Sequence, residues 1–184
     1  MYTTSSQTIG PYLHIGMTWL VDENLASEGV AGERVGITGR IVDADGVPVT
    51  DAMVEIWQAN SHGRYAHPED TRDLPLDDRF TGFGRVFTQD AGRFRFHTIK
   101  PGRVPSADGT LQAPHLNITI FMRGMLKHLF TRLYFDGDPS NALDPVLAQV
   151  PADRRATLLA VPGDGAFHWD VVLQGDGETV FFDV

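Results

Sequence analysis

From residue 33 to residue 43, small and apolar side chains recur at every second position, with Ile37, Gly39 and Ile41 on one face, and the run ends in Asp43-Ala44-Asp45-Gly46. That alternation predicts a half-buried strand followed by a turn. A second strand is expected over 52–58, where Val54 and Ile56 share one face and Met53, Glu55 and Trp57 the other. Residues 85–88 and 93–97 flank Asp90-Ala91-Gly92 and read as the two arms of a hairpin, Phe94 and Phe96 alternating with Arg93 and Arg95. Further strand-like runs lie at 116–122, 129–135, 166–173 and 179–182. Only 151–159 has helical character, with Pro151 in the first turn, an early Asp153 and good helix formers after it.

Glycine and proline punctuate these short runs, and two long connections, 59–83 and 100–114, carry prolines and charges. The pattern predicts an all-β domain, a β-sandwich of mixed topology with long loops and one short peripheral helix. Residues 1–32 have no clean period despite Tyr12, Leu13, Ile15 and Trp19, so they are expected to form an extended N-terminal arm docked on another chain, with the domain proper at 33–184.

The 184 residues suit one core, and 24 acids against 15 Lys and Arg give a net charge of -9. That charge repels phosphate backbones and anionic lipid, which makes nucleic acid and membrane poor partners. No cysteine occurs, so disulfides, thiolate metal sites and thiol nucleophiles are excluded. The first ten residues lack a basic head followed by an apolar stretch, and a cytoplasmic location is expected.

The chain has no nucleophile elbow, phosphate loop or His-Glu-x-x-His motif. Seven histidines remain, none of them in a His-x-His pair that would project two rings from one strand face. The nearest approach is His115-Leu116-Asn117, and a neutral amide is a feeble ligand beside imidazole. His97 and His168 fall in strands and read as packed residues; His62 and His67 read as solvated. Tyr65 suits an interface aromatic. Arg132, inside an apolar strand, needs either a structural carboxylate partner or an anionic ligand, and its sequence context leaves both open.

The segments Ile37-Thr38-Gly39-Arg40-Ile41, Val54-Glu55-Ile56-Trp57-Gln58-Ala59-Asn60 and Gly63-Arg64-Tyr65 closely resemble the intradiol ring-cleavage dioxygenases. The resemblance continues through Phe80-Thr81-Gly82-Phe83-Gly84-Arg85, Thr98-Ile99-Lys100-Pro101-Gly102, Pro114-His115 and Leu133-Tyr134-Phe135, most of the chain. It implies a ferric site of two tyrosines and two histidines, with an arginine shortly before the histidine pair. Those five positions fall on Tyr65, Val104, His115, Asn117 and Gln112, so only Tyr65 and His115 are kept. The resemblance therefore implies an iron-free alpha subunit, working with a homologous beta subunit that holds Fe(III), in an assembly of several alpha–beta pairs. It implies cleavage of 3,4-dihydroxybenzoate to 3-carboxy-cis,cis-muconate, with Thr8, Gly10, Pro11, Tyr12 and Arg132 of this chain lining the substrate pocket. A self-sufficient homo-oligomeric dioxygenase and a non-enzymatic β-sandwich binding module are the alternatives. Val104 and Asn117 speak against the first, the length of matched motif against the second.

Overall fold

The computed structural model describes residues 4–183; the first three residues of the expected arm lie outside that range. Nine strands form among the described residues: β1 Arg34–Val42, β2 Met53–Trp57, β3 Phe83–Phe87, β4 Arg93–Ile99, β5 His115–Phe121, β6 Leu129–Phe135, β7 Leu159–Gly163, β8 Ala166–His168 and β9 Val171–Val172. They join in one hydrogen-bonded path, β3-β2-β5-β6-β7-β8-β1-β4, with β9 beside β1. Pairing is antiparallel except for β6 with β7, β1 with β8 and β1 with β9. The all-β class and mixed topology agree with the alternating sequence, and the strands join along one continuous, nearly closed, barrel-like path.

The expected hairpin does not form. The turn is present, with Ala91 at φ 60° and Gly92 at φ 69°, yet β3 pairs with β2 and β4 with β1. A Cβ on Gly92 would lie 2.5 Å from the Ile41 carbonyl oxygen, so the turn packs against β1 and carries the chain from one end of the sheet to the other. What bridges those two ends is the second half of the expected arm. Asp22 exchanges two backbone hydrogen bonds with Arg85 at 2.8 and 3.0 Å, and His97 N–H donates to the Glu23 carbonyl at 2.7 Å. Leu25 N–H donates back to His97 at 2.8 Å, and Leu25, Ala26 and Val30 are buried in the main core. Gly84 permits this approach, since a Cβ there would stand 2.5 Å from Leu25 Cδ1.

The first half of the arm is not extended: Pro11–Met17 forms helix α1, capped by Gly10, with proline at its first position. It buries no residue, and Tyr12, Ile15 and Trp19 are 84%, 67% and 77% exposed. The helix expected over 151–159 is reduced to a single 3-10 turn at Arg155–Leu158, because Leu158 is buried and Leu159 already pairs with Tyr134 to open β7. Residues 179–182 give only one bridge, Phe130 with Phe182.

Alternation decides what faces inward. Val54, Ile56, Ile118, Leu133 and Phe135 fill the main core with Ile37, Ile41 and Phe96, which turns Trp57, Asn117 and Arg132 to the outer face. A smaller cluster of Ala113, Tyr134, Leu147, Val150 and Leu158 covers part of that face.

Candidate functional site

Register places Trp57 opposite Asn117 and Asn117 opposite Arg132, a row across β2, β5 and β6. Two loops overhang the row. The loop after β2 is organised by Asn60, whose Oδ1 accepts from His62 N–H and Arg64 N–H at 2.9 and 3.0 Å while its amide donates to the Pro75 carbonyl at 2.8 Å. It meets the loop before β5 closely: a Cβ on Gly63 would lie 2.1 Å from the Arg103 carbonyl oxygen. Between loops and row lies a cleft of about 570 Å³ lined by Trp57, Tyr65, Arg72, Val104, His115 and Arg132, among others.

Tyr65 stacks on Trp57, with centroids 5.7 Å apart and planes 16° off parallel. Its hydroxyl accepts the Asn117 amide at 3.1 Å. Burial pushes its phenol pKa above the ordinary value, outweighing that hydrogen bond and the fields of Arg132 and Arg72. Tyr65 is therefore a neutral phenol near pH 7. His115 is 4% exposed, and its Nδ1 donates to the Ala113 carbonyl at 2.8 Å, which leaves Nε2 unprotonated. Burial first, and the Arg132 cation second, push its pKa down to about 4. Asp70 accepts two hydrogen bonds from Arg72 at 2.8 and 2.5 Å, and this pairing holds its carboxyl down to about 2.

Arg132 Nη1 donates to Gln112 Oε1 at 2.6 Å and to the Tyr134 hydroxyl at 3.4 Å. Val104 is buried, and its carbonyl accepts Gln112 N–H at 2.8 Å. The structure thus gathers Tyr65, Val104, Gln112, His115 and Arg132 into one cleft, with Asn117 hydrogen-bonded to Tyr65 behind it. This donor set does not fit ferric iron. Val104 offers no ligand atom, Asn117 spends its amide on Tyr65 and on the Trp57 carbonyl, and a guanidinium stands beside the two remaining donors. Among the described residues, no group of three or more His, Asp or Glu is placed to hold a metal ion.

The other expected pocket residues lie elsewhere. Thr8 Oγ1 accepts Gly124 N–H at 2.7 Å, just beyond the C-terminal end of β5, whereas His115 opens that strand. Gly10 and Pro11 line a hollow of about 260 Å³ with Asp51, Phe87 and Arg123, and Tyr12 projects outward. The cation beside the arm residues is Arg123, ion-paired to Asp51 and 75% exposed, not Arg132. Attention to an arginine inside a strand singled out Arg132; the signal for Arg123 was its place at a strand exit, directly before Gly124.

Residues 21–175 match the protein family described as Dioxygenase. The protocatechuate 3,4-dioxygenase alpha chain of Burkholderia cepacia is 44% identical, the match covering 98% of this chain and 97% of that protein. The beta chain of the same organism's enzyme is 39% identical over 80% of this chain and 67% of its own length. Among solved structures, the dioxygenase domain of a carbohydrate-binding fusion protein from Streptomyces sp. SirexAA-E superposes with a TM-score of 0.64 at 24% identity, over 84% of this chain and 88% of that one, a likeness of fold. Family match, full-length similarity and likeness of fold agree: the chain belongs to the intradiol dioxygenases, alongside the protocatechuate 3,4-dioxygenase alpha chains.

Proposed function

We propose that this chain is the alpha component of a two-chain intradiol dioxygenase, in which a homologous beta chain holds Fe(III) and the pair cleaves 3,4-dihydroxybenzoate with dioxygen to 3-carboxy-cis,cis-muconate. The observation that carries this reading is the cleft itself, where Val104 and Asn117 stand at two of the four ligand positions in a chain otherwise like alpha chains along its whole length. The reading includes several alpha–beta pairs per assembly and a cytoplasmic setting. No helix among the described residues is long and apolar enough to cross a membrane.

In this reading α1 and the turn after it are the docking element, with exposed Tyr12, Ile15 and Trp19 covered by the beta chain. Thr8, Gly10, Pro11 and Tyr12 wall the partner's pocket. Arg123, which the hollow brings beside them, supplies the cation for the substrate carboxylate against the overall charge of -9. Arg132 belongs to this chain's own cleft and takes no part in that wall.

The experiment is expression with and without the homologous beta chain. The pair is expected to carry iron, the visible absorption of a tyrosinate-to-iron centre and ring-cleaving activity, and the lone chain none of the three. About one tightly held iron per lone chain, the stoichiometry of a complete site, together with activity, would overturn the proposal.

A further inference from the structure

We infer that the cleft beneath Tyr65 binds a small organic anion with a flat apolar body, held by Arg132 and without a metal. This inference does not rest on the alpha-chain reading; it follows from how charge is distributed around the cleft.

Three carboxylates are near, and the two more buried ones are already compensated. Asp144 is fully buried; its oxygens accept N–H groups of Ala113 at 2.7 Å, Val146 at 2.9 Å and Leu147 at 2.7 Å, and the Tyr134 hydroxyl at 3.2 Å. Asp70 is clasped by Arg72. Glu69, at the rim, is exposed and makes no ion pair among the described residues. Arg132 is half-buried and has only neutral oxygens on Nη1, those of Gln112 and Tyr134. Its Nε and Nη2 meet no protein acceptor, and no carboxylate comes within ion-pair distance of it, among the described residues. A partly desolvated guanidinium with two free donors facing a cleft is a receptor for an anion.

The rest of the lining sets the shape. The Trp57 ring and the side chains of Val104 and Pro105 give apolar walls, and the Tyr65 ring, held by Asn117 through its hydroxyl, adds another. The space, about 570 Å³, is within the usual range for small-ligand sites. A flat ring bearing one carboxylate satisfies both the walls and the cation.

The test uses the full chain without any partner, titrated with benzoate and with its neutral isostere benzamide, and followed by saturation-transfer NMR. Benzoate is expected to bind about ten- to a hundredfold more tightly than benzamide, the range for one charge-assisted contact, and to weaken as salt is raised. Arg132→Gln should abolish that preference, Arg132→Lys should keep part of it, and Arg40→Gln, at an exposed ion pair with Asp170 outside the cleft lining, should leave it unchanged. Equal affinity for benzoate and benzamide in the unaltered chain overturns the inference and needs no variant. Loss of binding in Arg123→Gln but not in Arg132→Gln overturns it as well, by moving the anion to the hollow beside α1.

Discussion

Asn117 donates its side-chain amide to the Tyr65 hydroxyl across 3.1 Å, so two residues that the family resemblance puts at ligand positions are hydrogen-bonded to each other. The same amide also donates to the Trp57 carbonyl at 3.2 Å. Tyr65→Phe therefore strands one half-buried donor, and urea unfolding should show a loss of about 1 kcal/mol. Iron content of the lone chain should not change, because the cleft has no competent ligand set with or without that hydroxyl.

His115 makes stability depend on pH in a defined window. Its folded pKa of about 4 lies below the ordinary 6.5, so the unfolded chain binds the proton first as pH falls. The contribution is constant above about 6.5, declines between 6.5 and 4, and amounts in full to about 3 kcal/mol. His115→Gln should flatten that stretch of the urea midpoint against pH; parallel curves for the two proteins would contradict it. Asp70, whose pairing with Arg72 holds it at about 2, acts lower down, where stability falls as pH drops from about 3.8 towards 2.

The two halves of the N-terminal segment should separate in truncation. Starting the chain at Val21 removes α1, which buries no residue, and should cost less than about 1 kcal/mol while abolishing association with the beta chain. Gly84→Val, by contrast, drives a side chain into Leu25 and the Asp22 carbonyl and should cost about 2 to 3 kcal/mol in thermal or urea unfolding.

In the reconstituted pair, Arg123→Ala should lower kcat/KM for 3,4-dihydroxybenzoate about tenfold and leave iron content unchanged. Catechol, which lacks the carboxylate, should lose less. Arg132→Ala should spare both substrates. The opposite ranking of the two arginines would return Arg132 to the wall of the partner's pocket.

Much of this was legible in the chain because strand alternation is a local signal. Val54 and Ile56 turn inward and Trp57 outward in the structure, as their spacing requires. The cleft residues were legible through family motifs, and register then explained why Asn117 and Arg132 stand side by side. Pairing across the sheet was not legible. The Asp90-Ala91-Gly92 turn signals reversal but not whether the flanking strands pair, and that is decided by Arg93 finding Arg40 and Phe87 finding Met53. The first helix escaped notice since seven residues, less than two turns, are too few to display a helical period; Gly10-Pro11 was the available sign. The helix expected at 151–159 failed because burial of Leu158 and pairing of Leu159 overrode local propensity.

The bridge between β3 and β4 also sets an order of events during synthesis. Glu23 and Arg95, ion-paired beside that bridge, are 72 residues apart in sequence. At ribosomal speeds of about 5 to 20 residues per second, the early segment waits roughly 4 to 14 s for its second strand to be made. Throughout that interval the strands it will bridge are not yet complete, and Leu25 lacks its seat. The nascent chain is then most open to mispairing, and a sibling chain engaging α1 would reach it before the sheet has closed.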